Sequence, residues 1–492
     1  MGPLWRLSAG EMASLVGARS VSARELMRQA MERFAAVNPL LNAVCTVNPA
    51  AEEQADAIDR RLASGAAPRR LEGVPFLIKD NIETEGVRTT FGSLTRADYV
   101  PQEDSISVAR LKAAGAVLLG KTNTPEFAHD VNTTNRLFGT TRNPWNLDCT
   151  SGGSSGGTGA AVAAGVAPIG LGTDLGGSIR IPASFNGIAG MRPSPGRVPV
   201  YPSPLAWDNF VVHVQGPLAR HAGDLCLVMA EIAGPDDRDP ASLPAGAQDY
   251  AAMAAVRRLD GARILYVADF RGEVPTEPEV AVLSRRAALR LRELGAQVDE
   301  GDFDVSDLRG IIAGTRAFGM VARYTELLQQ HRERMTPPLI SQVEASFAYT
   351  LADVAKAEIA RGGYWHRIRK IMVDYDFIVT PASGITAFRL DRELPTEIGG
   401  KKVERFYDSI LGAYAFSVTG LPVTAVPAGF TKDGLPVGLQ IVGRRLRDDR
   451  ALAAAAAYEA LCPEHFRMPD VDTTWKNASP NEVATTGWVL KK

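Results

Sequence analysis

Residues 151–180 read SGGSSGGTGAAVAAGVAPIGLGTDLGGSIR, and the order of residue types in this stretch decides the fold class. Two Gly-Gly-Ser units, at 152–154 and 176–178, bracket an uncharged apolar phrase from Ala160 to Gly172. The phrase reads as a helix, a stop at Gly165 and a buried strand ending near Leu171. The same helix–Gly–strand order recurs from Asp104 through Gly115 to Leu119, and from Glu279 through Gly295 to Val298. Alternation of this kind predicts an α/β fold, a mixed β-sheet core covered by α-helices.

Working outward, Ser8-x-x-Glu11 and Ser22-x-x-Glu25 are capping boxes that predict two amphipathic helices at the amino-terminal end. Residues 72–81, EGVPFLIKDN, predict a short buried strand that ends in a lysine. Toward the other end, VTAVPAGF and LPVGLQIVG flank Lys432-Asp433-Gly434, a hairpin signal. An alanine-rich helix follows from Asp448 to Leu461 and stops before Pro463. The Pro-rich segment 192–205 is expected to be a surface loop near the site. No repeat or composition shift divides the chain, so residues 1–492 are expected to form a single large domain.

Composition narrows the function. Hydrophobic residues at 45% and charged residues at 22% place the chain among soluble globular proteins. Lys plus Arg number 54 against 56 Asp plus Glu, a net charge of −2, which argues against nucleic acid or a polybasic membrane patch as partner. The longest uncharged apolar stretch is well short of the roughly 20 residues that a membrane span needs. Four cysteines with no C-x-x-C spacing predict neither a disulfide framework nor a zinc site. The opening MGPLWRLSAGEMASLV has no signal-peptide pattern, so a reducing cytoplasm is the expected location.

The densest chemistry lies in the opening stretch. After Thr173-Asp174, the successive N–H groups of Leu175, Gly176, Gly177 and Ser178 are placed to form an anion-holding nest, suited to the oxyanion of acyl transfer. The bland reading of the same residues is a turn that reverses the chain. A serine nucleophile needs a base, yet none of the six histidines, His129 and His213 among them, sits in a recognisable motif, and each is expected to be structural or exposed. Lys79 is the only lysine before residue 112 and lies in an apolar strand, where desolvation would lower its pKa into a usable range. From the residues alone it is either that base or a strand-end lysine facing solvent.

GGSSGG at 152–157, GTDLGGSIRIPA at 172–183 and GVPFLIKDN at 73–81 together resemble the amidase signature family, as do GKTNTPEF at 120–127, RNPWN at 142–146 and the GLPVTAVPAGF to GLQIVG region. The resemblance runs from about residue 10 to 460. It implies Lys79 as base, Ser154 as bridging serine after a cis Gly153–Ser154 bond, and Ser178 as nucleophile, with Asp174 and Arg180 ordering the loop. It implies hydrolysis of the C–N bond of a small or aryl amide through an acyl-enzyme, with carbamates (urethanes) as a second substrate class. No metal or organic cofactor is required, and a monomer or homodimer is expected. The catalytic core would span about 65–200, a more variable pocket region about 201–410, and the hairpin and last helix about 411–465. Tyr201 and Trp207, in and beside the Pro-rich loop, are the expected pocket residues, with further specificity elements near Ala313 to Tyr349.

Two motifs point elsewhere and fail on context. Gly115 to Thr122 fits the phosphate-loop spelling G-x-x-x-x-G-K-T, but its four middle residues, AVLL, themselves read as a buried strand. Gly152 to Gly156 fits the G-x-S-x-G elbow, but RNPWNLDCT before it does not read as the required strand. The alternative function within the family is the glutaminase (A-type) subunit of a tRNA-dependent amidotransferase, although PGRVPVYPSPLAWDNF does not resemble the phrase usual after that subunit's serine segment. A ligand-binding relative without catalysis is disfavoured because Lys79, Ser154 and Ser178 are all present.

Overall fold

Lys79 and Asp174 end two parallel, hydrogen-bonded neighbours in an eleven-stranded sheet, and this adjacency positions everything that follows. The structure is a computed structural model, and it describes residues 2–203, 205–206, 213–391, 396–403, 408–471 and 475. The strands are β1 (Val44–Val47), β2 (Pro75–Lys79), β3 (Val117–Thr122), β4 (Ile169–Asp174), β5 (Ala189–Arg192), β6 (Val214–Ala219), β7 (Arg263–Tyr266), β8 (Gln297–Glu300), β9 (Phe377–Pro381), β10 (Val423–Phe430) and β11 (Pro436–Gly443). Their order across the sheet is β1-β3-β2-β4-β6-β5-β10-β11-β9-β7-β8. Pairings β3–β2–β4 and β9–β7–β8 are parallel, and the rest are antiparallel. The result is a single large α/β domain with a mixed sheet flanked by helices.

Over the central strands both faces of the sheet are buried, as their near-continuous apolar sequences require, while the edge strand β8 exposes Gln297, Asp299 and Glu300. In β9, Phe377 and Val379 join one apolar cluster while Ile378 between them joins another, the two-residue alternation of a sheet covered on both sides. The capping box at Ser8 closes as expected on the helix Ala9–Gly17, and Ser22 caps Ala23–Leu41. The hairpin is β10–β11, and the last helix spans Asp448–Leu461. Gly120, Lys121 and Thr122 all lie inside β3, so the phosphate-loop spelling falls on a strand and not on a loop. One expectation is corrected: within RNPWNLDCT, Asn146–Thr150 is a strand. It pairs with Arg142–Asn143 in a small ribbon outside the main sheet, with one further antiparallel bridge from Cys149 to Arg389, so it does not supply the elbow's central strand.

A helical layer, Leu308–His331, Pro337–Ser346 and Leu351–Asp374, stands over the loops that follow β2 and β3. Buried Glu126 ties it down: one carboxylate oxygen accepts from the backbone N–H (2.7 Å) and hydroxyl (2.6 Å) of Thr336, the N-cap of the second helix. The other oxygen accepts from the Ser93 hydroxyl at 2.6 Å. Under this layer Met320, Tyr324, Met335, Leu339 and Val343 form a small apolar cluster of their own, with Phe127 against it. No helix among the described residues is long and apolar enough to cross a membrane.

Candidate functional site

Every residue of β2 is buried, including the terminal lysine. Lys79 Nζ lies 2.6 Å from Ser154 Oγ and 2.8 Å from Thr173 Oγ1, and Asn81 donates to the same threonine at 3.1 Å. Removal from water lowers the Lys79 pKa well below its ordinary value, and the Asp174 charge offsets only part of that shift. A second buried lysine, Lys121, sits one strand away. Its ammonium donates to the Ile82 carbonyl and to the hydroxyls of Thr84 (2.9 Å) and Thr89 (3.0 Å), and burial brings it to about 8. Those bonds spend Lys121 on the loop after β2, away from the serines.

Ser154 is held by a loop with little freedom. Thr133 Oγ1 donates to the Gly152 carbonyl (2.8 Å) and accepts from Gly156 N–H (3.1 Å), and Asn186 donates to the Ser151 carbonyl (2.8 Å). The Gly153–Ser154 peptide is cis. A Cβ on Gly153 would stand 2.7 Å from the Asp130 carbonyl oxygen, so a side chain at this close approach is excluded. The two serine loops are joined directly, since Ser155 N–H donates to the Ser178 carbonyl at 3.1 Å.

The loop from Asp174 to Arg180 is organised by a buried charge cluster. The Asp174 carboxylate accepts from Arg180 Nη2 (2.9 Å) and Nε (3.0 Å), and from the N–H groups of Gly177 (2.8 Å) and Ile179 (3.1 Å). Burial alone would raise its pKa, but the Arg180 guanidinium and then Arg192 hold it well below the carboxylate range. Arg180 also reaches Gln440 Oε1 (2.7 Å), the Ala413 carbonyl (2.8 Å) and Ser417 Oγ (2.6 Å). This geometry separates the four expected nest donors. Gly177 N–H is turned inward to Asp174, whereas Leu175, Gly176 and Ser178 line the cavity. Gly176 carries the ring of Tyr414 directly against its Cα, since a Cβ there would lie 2.1 Å from Tyr414 Cζ.

The cavity has a volume of about 590 Å³, with Ser154 and half-buried Ser178 among its lining residues. Phe91, Phe127 and Tyr324 form an aromatic wall, with ring centroids 5.8 Å apart for the first pair and 5.3 Å for the second. Phe91, Phe127 and Ala128 all have positive φ (56°, 47° and 64°), a backbone strain concentrated on this wall. Tyr201 lines the rim, but its hydroxyl is spent on Glu103 at 2.7 Å. Trp207 lies outside the described residues.

His129 and His213, expected to be structural or exposed, both line the cavity. Burial holds both neutral, bringing His213 to about 3 and His129 well below its ordinary value, with nearby arginine charge acting in the same direction. His129 bridges Tyr324 Oη (2.9 Å from Nε2) and Arg316 Nη2 (3.5 Å from Nδ1), and Arg316 also donates to Gln342 Oε1 (2.6 Å) and Tyr414 Oη (3.1 Å). Sequence reasoning reached Arg316 and Tyr324 only as part of a region; no motif marks them singly.

Comparison with known proteins places this site in context. The family model described as Amidase matches residues 25–452. The chain is 35% identical to an acylamidase of Rhodococcus erythropolis, over 94% of this chain and 97% of the relative. It is 36% identical to the A-type subunit of the glutamyl-tRNA(Gln) amidotransferase of Moorella thermoacetica, over 95% and 99% respectively. Among solved structures, a bacterial aryl acylamidase of the amidase signature enzymes family superposes with a TM-score of 0.87 at 30% identity, covering 94% of this chain and 98% of that one.

Proposed function

This chain belongs to the amidase signature family and is a hydrolase acting on amide C–N bonds, and from that premise we propose that Ser178, Ser154 and Lys79 form its catalytic relay. Neutral Lys79 accepts the proton of Ser154 as Ser154 accepts that of Ser178, and Ser178 Oγ attacks the carbonyl carbon. The N–H groups of Leu175, Gly176 and Ser178 receive the oxyanion, while Asp174 and Arg180 hold the loop that carries them. The relay returns a proton to the leaving amine, the C–N bond breaks, and water hydrolyses the acyl-enzyme by the same route. The observation that carries this reading is the buried Lys79 amine 2.6 Å from Ser154 Oγ, beside the cavity that Ser178 lines. Thr173 supports it by taking one Lys79 N–H, which leaves the nitrogen lone pair for Ser154.

The substrate is a small or aryl amide, and the aromatic wall of Phe91, Phe127 and Tyr324 favours the aryl branch. An aryl carbamate presents a similar carbonyl to the same donors and is the second class. The core of about 65–200 supplies the relay, the 201–410 region much of the pocket wall, and Tyr414 joins from the 411–465 segment. All four cysteines are free thiols, in keeping with a cytoplasmic setting, and the protein acts alone as monomer or homodimer.

The Moorella relative favours a second reading, a glutaminase subunit that feeds ammonia to a partner. One experiment separates the two: amine or ammonia release by the purified chain from an anilide, an aliphatic amide, an aryl carbamate and free glutamine, with Ser178→Ala as control. Release from the anilide or carbamate that disappears in the variant supports the stand-alone amidase. Ammonia from glutamine alone supports the partner-dependent reading, and release that survives Ser178→Ala overturns the nucleophile.

A further inference from the structure

We propose that Tyr324 presents its phenolic O–H to the cavity as a fixed hydrogen-bond donor, and so selects amides that carry a second acceptor oxygen away from the scissile carbonyl. The inference rests on the reading of this cavity as the amide-binding site.

Proton direction along one chain of side chains carries the argument. A guanidinium has donors only. Arg316 Nη2 stands 3.5 Å from His129 Nδ1, so Nδ1 turns its lone pair toward the cation, because an N–H there would set two donors face to face. Gln342 keeps the two together, accepting from Arg316 Nη2 at 2.6 Å and donating to the His129 carbonyl at 3.3 Å. His129 is half-buried with its ring kept neutral by desolvation and the nearby Arg316 charge, so its single ring proton belongs on Nε2. That N–H donates to Tyr324 Oη at 2.9 Å. The tyrosine oxygen is therefore an acceptor toward His129, and its own proton must point elsewhere.

Among the described residues Tyr324 Oη has no other hydrogen-bond partner. The side chain is 8% exposed and lines the same cavity as Ser178. A buried hydroxyl proton without an acceptor is unfavourable, and a ligand oxygen in the cavity relieves it. An ether, ketone or carboxylate oxygen satisfies the requirement equally. A hydrocarbon at that place leaves the donor unmet, which is how a built-in polar group discriminates between otherwise isosteric substrates.

The test uses two substrate pairs that differ by O against CH₂: 4′-(methoxymethyl)acetanilide with 4′-propylacetanilide on the amine side, and 4-methoxybutananilide with hexananilide on the acyl side. In the wild type, kcat/KM favours the ether member of one pair by about fivefold, the value of a single neutral hydrogen bond. In Tyr324→Phe that ratio falls to about one, whatever happens to the absolute rate. An unchanged ratio in the variant, or no preference for oxygen in either pair by the wild type, overturns the proposal while Ser178-dependent turnover keeps the site assignment. Turnover that is absent, or that survives Ser178→Ala, overturns both.

Discussion

Replacing Gly176 with alanine isolates the steric support of the proposed oxyanion loop. The φ of Gly176 is not positive, in contrast to 116° at Gly177, so alanine meets no left-handed backbone at 176. Its Cβ would instead stand 2.1, 2.4 and 2.6 Å from Cζ, Cε2 and Cε1 of Tyr414. Restoring ordinary contact at 3.4 Å forces loop and ring apart by about 1.3 Å. Neither side yields freely. The Tyr414 hydroxyl accepts from Arg316 at 3.1 Å and the adjacent Ala413 carbonyl from Arg180 at 2.8 Å, while the loop is pinned by Gly177 to Asp174 at 2.8 Å. Overpacking of this kind costs about 1–3 kcal/mol of stability, which a folded enzyme of this size can survive. Catalysis is more sensitive, since a displacement of about 1 Å in a positioned group costs about 100-fold. Gly176→Ala should therefore lower kcat on an anilide by about 100-fold or more with little change in far-UV circular dichroism. Gly176→Ala combined with Tyr414→Leu, which removes the clashing ring atoms, should recover part of the loss. A single variant within a few-fold of the wild-type rate would refute the claim that this loop holds the oxyanion against the Tyr414 ring.

Three further predictions concern the proposed base and the helical layer. Lys79 must be neutral to accept a proton, and its folded pKa lies well below the ordinary 10.5, so the rate should fall as pH drops through that lowered value; a rate independent of pH on the acid side would exclude an amine base. Between the lowered value and 10.5 the unfolded chain binds the Lys79 proton and the folded chain does not, so urea-derived stability gains from rising pH over this window, and Lys79→Met should remove that increment. Glu126→Ala deletes the acceptor of the Thr336 cap and of Ser93, so a loss of about 2–3 kcal/mol is expected by denaturant titration, and an unchanged midpoint would show that the layer is held by packing alone.

The elements legible in the sequence were those fixed by local chemistry. Ser8 and Ser22 cap helices where their spacing to glutamate placed them, Lys432-Asp433-Gly434 sits in the turn between β10 and β11, and the apolar run before Lys79 is a buried strand. Lys79 was legible only as a lone lysine closing an apolar run, equally a strand-end lysine facing solvent, and it was the resemblance that implied its role as base. The opposite wall was not, since Arg316, Tyr324 and Tyr414 approach the serine loops only through tertiary packing. His129 gave no signal either: its role depends on an arginine 187 positions away, a separation no local pattern records. The inward turn of Gly177 depends on Asp174 three residues earlier, yet a run of glycine N–H groups looks uniform until the carboxylate's direction is known.

The reach of Arg180 also ties this loop to residues that are made late in synthesis. A growing chain that has emerged only through residue 200 already holds Lys79, Ser154 and Ser178, but three of the groups that grip this arginine, at Ala413, Ser417 and Gln440, have not yet been made. Ala413 and Ser417 come from the helix Leu411–Ser417 and Gln440 from β11, so the outer brace of the loop over Asp174 is complete only when both are in place. A chain ending before residue 413 would thus keep Lys79, Ser154 and Ser178 and lose three of the contacts that fix the loop from Asp174 to Arg180.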